Sequence, residues 1–195
     1  MIIWINGAFG IGKTQTAYEL NHRINNSFIY DPELVGFFLA KSFPPELRVS
    51  DFQNYPLWRK TVSNTLEYLQ TERSKIIIAP MTIVSKEIYK EIVDPLKEKG
   101  IKIKQFTLIA KKETIQKRLK KRLDGNSWNY RQIDRCLKGL QDPIFEEFID
   151  TDKYNLYEVV SLIGEKLNLE LKAIASNRIS RFFRRLKVTV SHIRT

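Results

Sequence analysis

Residues Gly7 to Thr14, GAFGIGKT, fit the pattern G-x-x-x-x-G-K-[ST]. Each residue type at that spacing has a task in gripping phosphate. Gly7, Gly10 and Gly12 permit a tight backbone path that turns N–H groups toward phosphate oxygens, and Ala8, Phe9 and Ile11 complete the loop. Lys13 is placed to reach the β- and γ-phosphates, and Thr14 to offer a hydroxyl to Mg²⁺. A helix starting here would add the positive end of its dipole. The segment predicts a site for Mg-ATP, with Lys13 also neutralising charge in any phosphoryl transfer.

Transfer needs more than a cradle, because a group must position the nucleophile. Asp31 in YDPE stands at the end of a short apolar run, where it could act as general base on a bound acceptor, with Glu33 as the alternate. The pair Asp31-Pro32 also fits a helix N-cap followed by proline at the first helical position. Both roles stand open. The run IIIAPMT (76–82) ends in Pro80, Met81 and Thr82, with no carboxylate for a second magnesium contact. That argues against fast ATP hydrolysis. Thr82 is a candidate to touch magnesium through water or to contact substrate.

Arg118 and Arg122 are spaced i, i+4, and Arg131 and Arg135 repeat the spacing beyond DGNSWN (124–129). Two arginine pairs around a polar loop predict a lid near 118–135 that closes over triphosphate. Arg118 and Arg122 would serve the nucleotide and catalysis, Arg131 and Arg135 the substrate. In DFQNYPLWR (51–59), Phe52, Tyr55 and Trp58 could stack on a base and Arg59 could meet a pyrophosphate or sugar. A hydrophobic cluster beneath a loop is the other reading of these aromatics. Phe37 and Phe38 read as core.

The elements that must position these residues are legible from hydrophobic periodicity. Short apolar runs at 1–6, 27–33, 75–80, 101–110 and within 144–152 read as strands. Segments 12–24, 57–70, 86–100, 111–123, 129–140 and 155–169 read as helices, with a kink at Pro95. Strands alternating with helices predict an α/β fold with a five-stranded parallel sheet covered on both faces. Residues 1–167 would form the nucleotide-binding domain, 168–177 a joint, and 178–195 a tail.

Charge is concentrated in that tail. The chain carries a formal net charge of +11, and from Lys172 to Thr195 there are seven Lys/Arg and no acid. On a helix at about 100° per residue, Ile179, Phe182, Phe183, Leu186, Val190 and Ile193 form one stripe, and arginines and Lys187 occupy the rest. Only Val188 is misplaced. An apolar stripe with a wholly basic opposite face predicts a helix lying on an anionic membrane surface. Docking on the domain's own core and RNA binding are the competing readings, and the absence of exposed aromatics among the arginines disfavours nucleic acid. On the membrane reading, the tail could be removed without cost to nucleotide binding. Two isolated histidines give no metal-ligand spacing, and the single Cys136 forms no internal disulfide and suits a reducing compartment. MIIWING lacks the basic start of a signal peptide. The longest apolar stretch, 76–84, falls short of the ~20 residues a membrane span needs.

The stretches MIIWINGAFGIGKTQTAYEL, YDPE, DFQNYPLWR, PMTIV, FTLIAKKETIQKRL, NSW, QIDRCLKGL and the terminal HIR together resemble the tunicamycin-resistance ATP-binding proteins, in the nucleoside-monophosphate-kinase-like branch of P-loop proteins. The similarity runs from Met1 to about Asp152 and resumes at the terminus. The resemblance implies a P-loop NTPase fold, ATP as ligand, and resistance to tunicamycin, a uridine-containing, lipid-tailed nucleoside. It also implies a cytoplasmic protein attached peripherally to the cell membrane through its C-terminal helix. Gly7, Gly10, Gly12, Lys13 and Thr14 carry over as nucleotide-binding residues, and Asp31 carries over from the wider kinase branch. Two functions are compatible with this: sequestration of the drug, or a kinase acting on tunicamycin or a UDP-sugar- or nucleoside-like substrate with Asp31 as base.

Overall fold

A computed structural model describes residues 1–72, 75–121, 127–174 and 177–191. Five strands form one wholly parallel sheet: β1 (Ile2–Gly7), β2 (Ser27–Ile29), β3 (Ile76–Pro80), β4 (Ile103–Ile109) and β5 (Phe148–Asp150), in the order β2-β3-β1-β4-β5. The helices are α1 (Lys13–Arg23), α2 (Pro32–Ser42), α3 (Pro56–Glu72), α4 (Lys86–Glu98), α5 (Lys112–Lys120), α6 (Ser127–Arg131), α7 (Ile133–Gly139), α8 (Leu156–Lys166) and α9 (Arg178–Ser191). Helices cover both faces of the sheet, as the alternation of elements predicts.

The central strand explains the stability of the site. Ile2, Ile3, Trp4 and Ile5 of β1 are fully buried, because β1 is flanked by β3 and β4 and roofed on both sides. Such a strand needs no polar alternation. The apolar residues of α4 fall on one face, burying Tyr89, Ile92, Val93 and Leu96. The helix runs through Pro95 as one element, and no break separates its two halves. The segment expected as one helix over 129–140 is two, α6 and α7, meeting at Gln132. β2 is shorter than the apolar run suggested, because Asp31 caps α2 immediately after it: its Oδ1 accepts from the Glu33 N–H at 3.0 Å.

β1 delivers the glycine loop, and a buried amide fixes where it starts. Asn6 is wholly buried. Its Oδ1 accepts from Gly7 N–H at 2.8 Å and from Ile83 N–H at 2.9 Å, and its Nδ2 donates to the Ile83 carbonyl at 2.8 Å. One side chain thus ties the end of β1 to the segment following β3. The Thr82 hydroxyl adds a second tie, donating to the Gly7 carbonyl at 2.9 Å.

The chain between α8 and α9 is pinned to the end of α1. Lys172 N–H donates to the Arg23 carbonyl and Arg23 Nε to the Lys172 carbonyl, both at 2.9 Å. Leu171 packs on Gly164, where a Cβ would come within 2.5 Å of it. Among the described residues no helix is long and apolar enough to cross a membrane.

Asn6→Leu keeps the volume but strips three buried partners, Gly7 N–H, Ile83 N–H and Ile83 C=O. The expected loss is roughly 2–4 kcal/mol in urea unfolding, with the parallel sheet still formed by circular dichroism.

Candidate functional site: the glycine-loop cleft

The turn from β1 into α1 has the geometry its glycines predicted. Gly7, Gly10 and Gly12 take φ of +140°, +79° and +113°, the region that side chains rarely adopt. A Cβ at Gly7 would lie 2.8 Å from the Leu108 carbonyl, and one at Gly10 would lie 2.7 Å from Leu119. Ala8 and Ile11 anchor the loop in the core, at 1% and 3% exposure. Lys13 folds back across the loop, its Nζ donating to the Ala8 carbonyl at 2.9 Å and standing 5.4 Å from the centre of the Phe9 ring. Glycines that cannot be replaced, a buried lysine and the Thr14 hydroxyl at the start of α1 are the donors that a Mg-triphosphate requires.

Beneath the loop lies Cys136, fully buried. Burial pushes its thiol up from the ordinary value, against the pull of nearby Lys13 and Arg135. Among the described residues no group of three or more His, Cys, Asp or Glu could hold a metal ion by itself. A magnesium ion here would depend on Thr14 together with phosphate oxygens and water.

The loop opens on a cavity of about 1580 Å³. Asp31 and Glu33 at the start of α2 border it, as do Phe37, Phe52, Arg118 and Trp128. Asp31 is thus the cap of α2, and its place on the wall of the cleft is compatible with the base role considered for it. Arg118 also borders the cleft, but as a brace. Its Nη1 donates to the Ile11 carbonyl at 3.1 Å and to Thr151 Oγ1 at 2.8 Å, and its Nη2 to the Thr151 carbonyl at 2.8 Å. It ties the glycine loop to the segment after β5. Trp128 of α6 meets Phe9 edge-on, with ring centres 5.2 Å apart, and Lys121 and Asn129 also line the cavity. Arg122 lies outside the described residues.

Other expected contacts fall elsewhere. Thr82 is fully buried, donates its hydroxyl to the Gly7 carbonyl and does not border the cavity, so it positions the loop. Trp58 is fully buried with Nε1 donating to the Pro32 carbonyl at 3.0 Å. Tyr55 is 6% exposed, packs against Phe43 and accepts from Val49 N–H. Both belong to the hydrophobic cluster beneath the loop. Phe52 alone of the three aromatics reaches the cleft, wedged between Phe37 and Trp58. Arg59 pairs with Glu91 at 2.6 Å and donates to the Gln53 carbonyl at 2.7 Å, bridging α3 to α4. Arg135 pairs at 2.8 Å with Asp51, which is 8% exposed, and thereby clamps α7 to the turn before α3. Arg131 is exposed at the end of α6. Neither arginine borders the cavity. Phe37 lines the cleft and Phe38 is 67% exposed, so neither is the core residue expected. Periodicity could have shown this: with Pro32, Gly36 and Leu39 inward, Phe38 falls on the opposite face of α2.

Residues 2–143 match a family model described as an AAA domain. A solved tunicamycin resistance protein from Deinococcus radiodurans is 30% identical and superposes with a TM-score of 0.75, covering 89% of this chain and 99% of that one. The chain belongs to this family of tunicamycin resistance proteins. More distant folds agree in architecture. A sugar kinase from Janibacter sp. HTCC2649 shows 14% identity and a TM-score of 0.63, covering 86% of this chain and 94% of the other. A shikimate kinase from Bacteroides thetaiotaomicron shows 17% identity and a TM-score of 0.56, covering 87% and 99%. These two establish the P-loop kinase-like fold alone. No curated protein matches the chain.

Proposed function

We propose that the protein binds Mg-ATP on its glycine loop and a tunicamycin-like nucleoside beside it, and that it confers resistance by holding the drug at a membrane surface. The observation that carries this is the size and composition of the cleft. A pocket for one drug-sized ligand measures about 300–1,000 Å³. The 1580 Å³ available here has room for two ligands, with the phosphate cradle at one end and Asp31, Glu33, Phe37 and Phe52 bordering the same space. The tunicamycin resistance of the Deinococcus relative suggests which nucleoside takes the second place.

A second reading, phosphorylation of the drug, is favoured by Asp31. It borders the cleft at the end of the edge strand β2, where its carboxylate could take the proton from an acceptor hydroxyl. ATP would supply the transferred phosphoryl group. Lys13 and the loop N–H groups would hold the phosphates, and Thr14 would help hold magnesium.

The membrane half of the proposal rests on how α9 sits. Val188, the residue that breaks the apolar stripe, is the one buried at 6% exposure. Ile179, Phe182, Phe183 and Leu186 stand 65%, 62%, 62% and 43% exposed. A helix docked on its own core would bury the stripe. This one docks by its opposite face and leaves the stripe exposed, with Phe182 and Leu186 at its edge also bordering the cleft, an arrangement that suits an interfacial helix. Val190 contributes no described side chain, and Ile193 and Arg194 lie outside the described residues. The protein would then be cytoplasmic and peripherally attached, meeting a lipid-tailed drug where it partitions.

Incubation with Mg-ATP and tunicamycin, followed by mass spectrometry, separates the two readings. Drug that is unmodified but retained by the wild type, and released by Lys13→Ala, supports ATP-dependent holding. Added phosphate that disappears in Asp31→Asn establishes the kinase instead. For the membrane, Ile179→Ser/Phe183→Ser should reduce flotation with phosphatidylglycerol vesicles by about tenfold or more, from the apolar burial lost. Unchanged flotation would exclude the stripe as the contact.

A further inference from the structure

Opposite the stripe, α9 packs on the protein through Arg181, Arg184 and Val188, and its main neighbour there is the glycine-loop helix. Gln15, the residue after Thr14, donates Nε2 to the Arg185 carbonyl and to Thr189 Oγ1, both at 3.0 Å. One turn further along α1, Glu19 is 5% exposed and accepts from Arg184 Nη1 at 3.4 Å. The Arg181 guanidinium lies 5.1 Å from the centre of the Tyr157 ring on α8. The contacts of Gln15 and Glu19 run along the first two turns of α1, beginning one residue from the phosphate cradle. Arg178, Arg181 and Arg185 consequently line the same cavity as Lys13 and Thr14.

The topology says which end of a bound nucleotide they would meet. β2 and β5 are the two edges of the sheet. β2 delivers Asp31, the side where an acceptor belongs. β5 leads to α8 and Tyr157, the side that carries Arg181. With the terminal phosphates on the loop and an acceptor on the β2 side, the base and sugar of a nucleotide would take the β5 side. A guanidinium suits that place, because its plane stacks on a base and its N–H fork grips an α-phosphate.

We propose that α9 is a wall of the nucleotide site, with Arg181 and Arg185 contacting the base and α-phosphate end of Mg-ATP and Gln15 holding the helix in register. The inference rests on the reading of the cleft as an ATP site. It reverses the expectation that the tail can be removed without cost to nucleotide binding. The stripe adjoins the arginines, with Phe182 and Leu186 bordering the cavity and Ile179 and Phe183 exposed beyond it, so the helix can serve the cleft by one edge and a membrane by the other. Nucleotide binding and the docking of α9 must then strengthen each other by the same factor.

Calorimetric titration of the full chain with Mg-ATP tests this at near-physiological salt. Arg181→Ala/Arg185→Ala should raise the Kd about tenfold, the effect of losing one charge-assisted contact. The charge-matched control Lys90→Ala/Lys97→Ala, on the exposed face of α4, should stay within about twofold of wild type, the margin of long-range screening. Lys13→Ala should abolish binding. Wild-type affinity in the tail variant, with binding lost in Lys13→Ala, overturns this inference and leaves the ATP site standing. Wild-type affinity in both overturns both. A second readout avoids substitution altogether: amide exchange across 178–191 in the unmodified protein should slow when Mg-ATP is added, and exchange that does not change contradicts the proposal.

Discussion

Three backbone angles set the terms for the rest of this molecule. Gly7, Gly10 and Gly12 all sit at positive φ, and a loop of that shape has little reason to persist unless its ends are held. Asn6 and Thr82 hold one end with buried hydrogen bonds to β1 and to the segment after β3. Arg118 holds the middle by its bond to the Ile11 carbonyl. The start of α1 holds the other end and is in turn braced by α9 through Gln15. A parallel sheet with a wholly buried central strand supplies the rigid floor. Preorganised N–H groups are worth more than mobile ones, because no ordering cost is met when the anion arrives.

Charge is arranged around the same loop. The sequence concentrates basic residues in the last two dozen positions, and the fold brings that segment back to the cleft instead of letting it trail away. Arg23, with 6% exposure, and its paired hydrogen bonds to Lys172 make the return possible. The polar face of α9 therefore meets Gln15, Glu19 and Tyr157 within the protein. On the proposed reading, a single amphipathic helix would join the nucleotide site to a surface where lipid-tailed molecules collect.

Sequence periodicity revealed the sheet, the helices and the cradle because these follow from local rules: continuous apolar runs for buried parallel strands, and glycine where backbone must turn left. Asp31 was legible as the cap of α2 and as a residue at the cleft. What stayed hidden depended on which way a side chain points once distant segments meet. Arg59 and Arg135 looked like phosphate ligands, but Glu91 and Asp51, far along the chain, claim them as ion pairs. Trp58 and Tyr55 looked like stacking surfaces, yet α2 and the following turn cover them. The helix wheel of the tail correctly isolated Val188 as the odd residue. That oddity was the signal for docking: an apolar residue on a basic face has to be buried against something.

The central claim, that the glycine-loop cleft takes Mg-ATP, has a natural reporter. Of the three tryptophans, Trp4 and Trp58 are fully buried in the core, whereas Trp128 lines the cleft against Phe9. Titrating the protein with Mg-ATP while recording tryptophan emission should give a saturable change that vanishes in Trp128→Phe. Emission that stays constant at millimolar Mg-ATP, or a change that survives in Trp128→Phe, would contradict this account of the site.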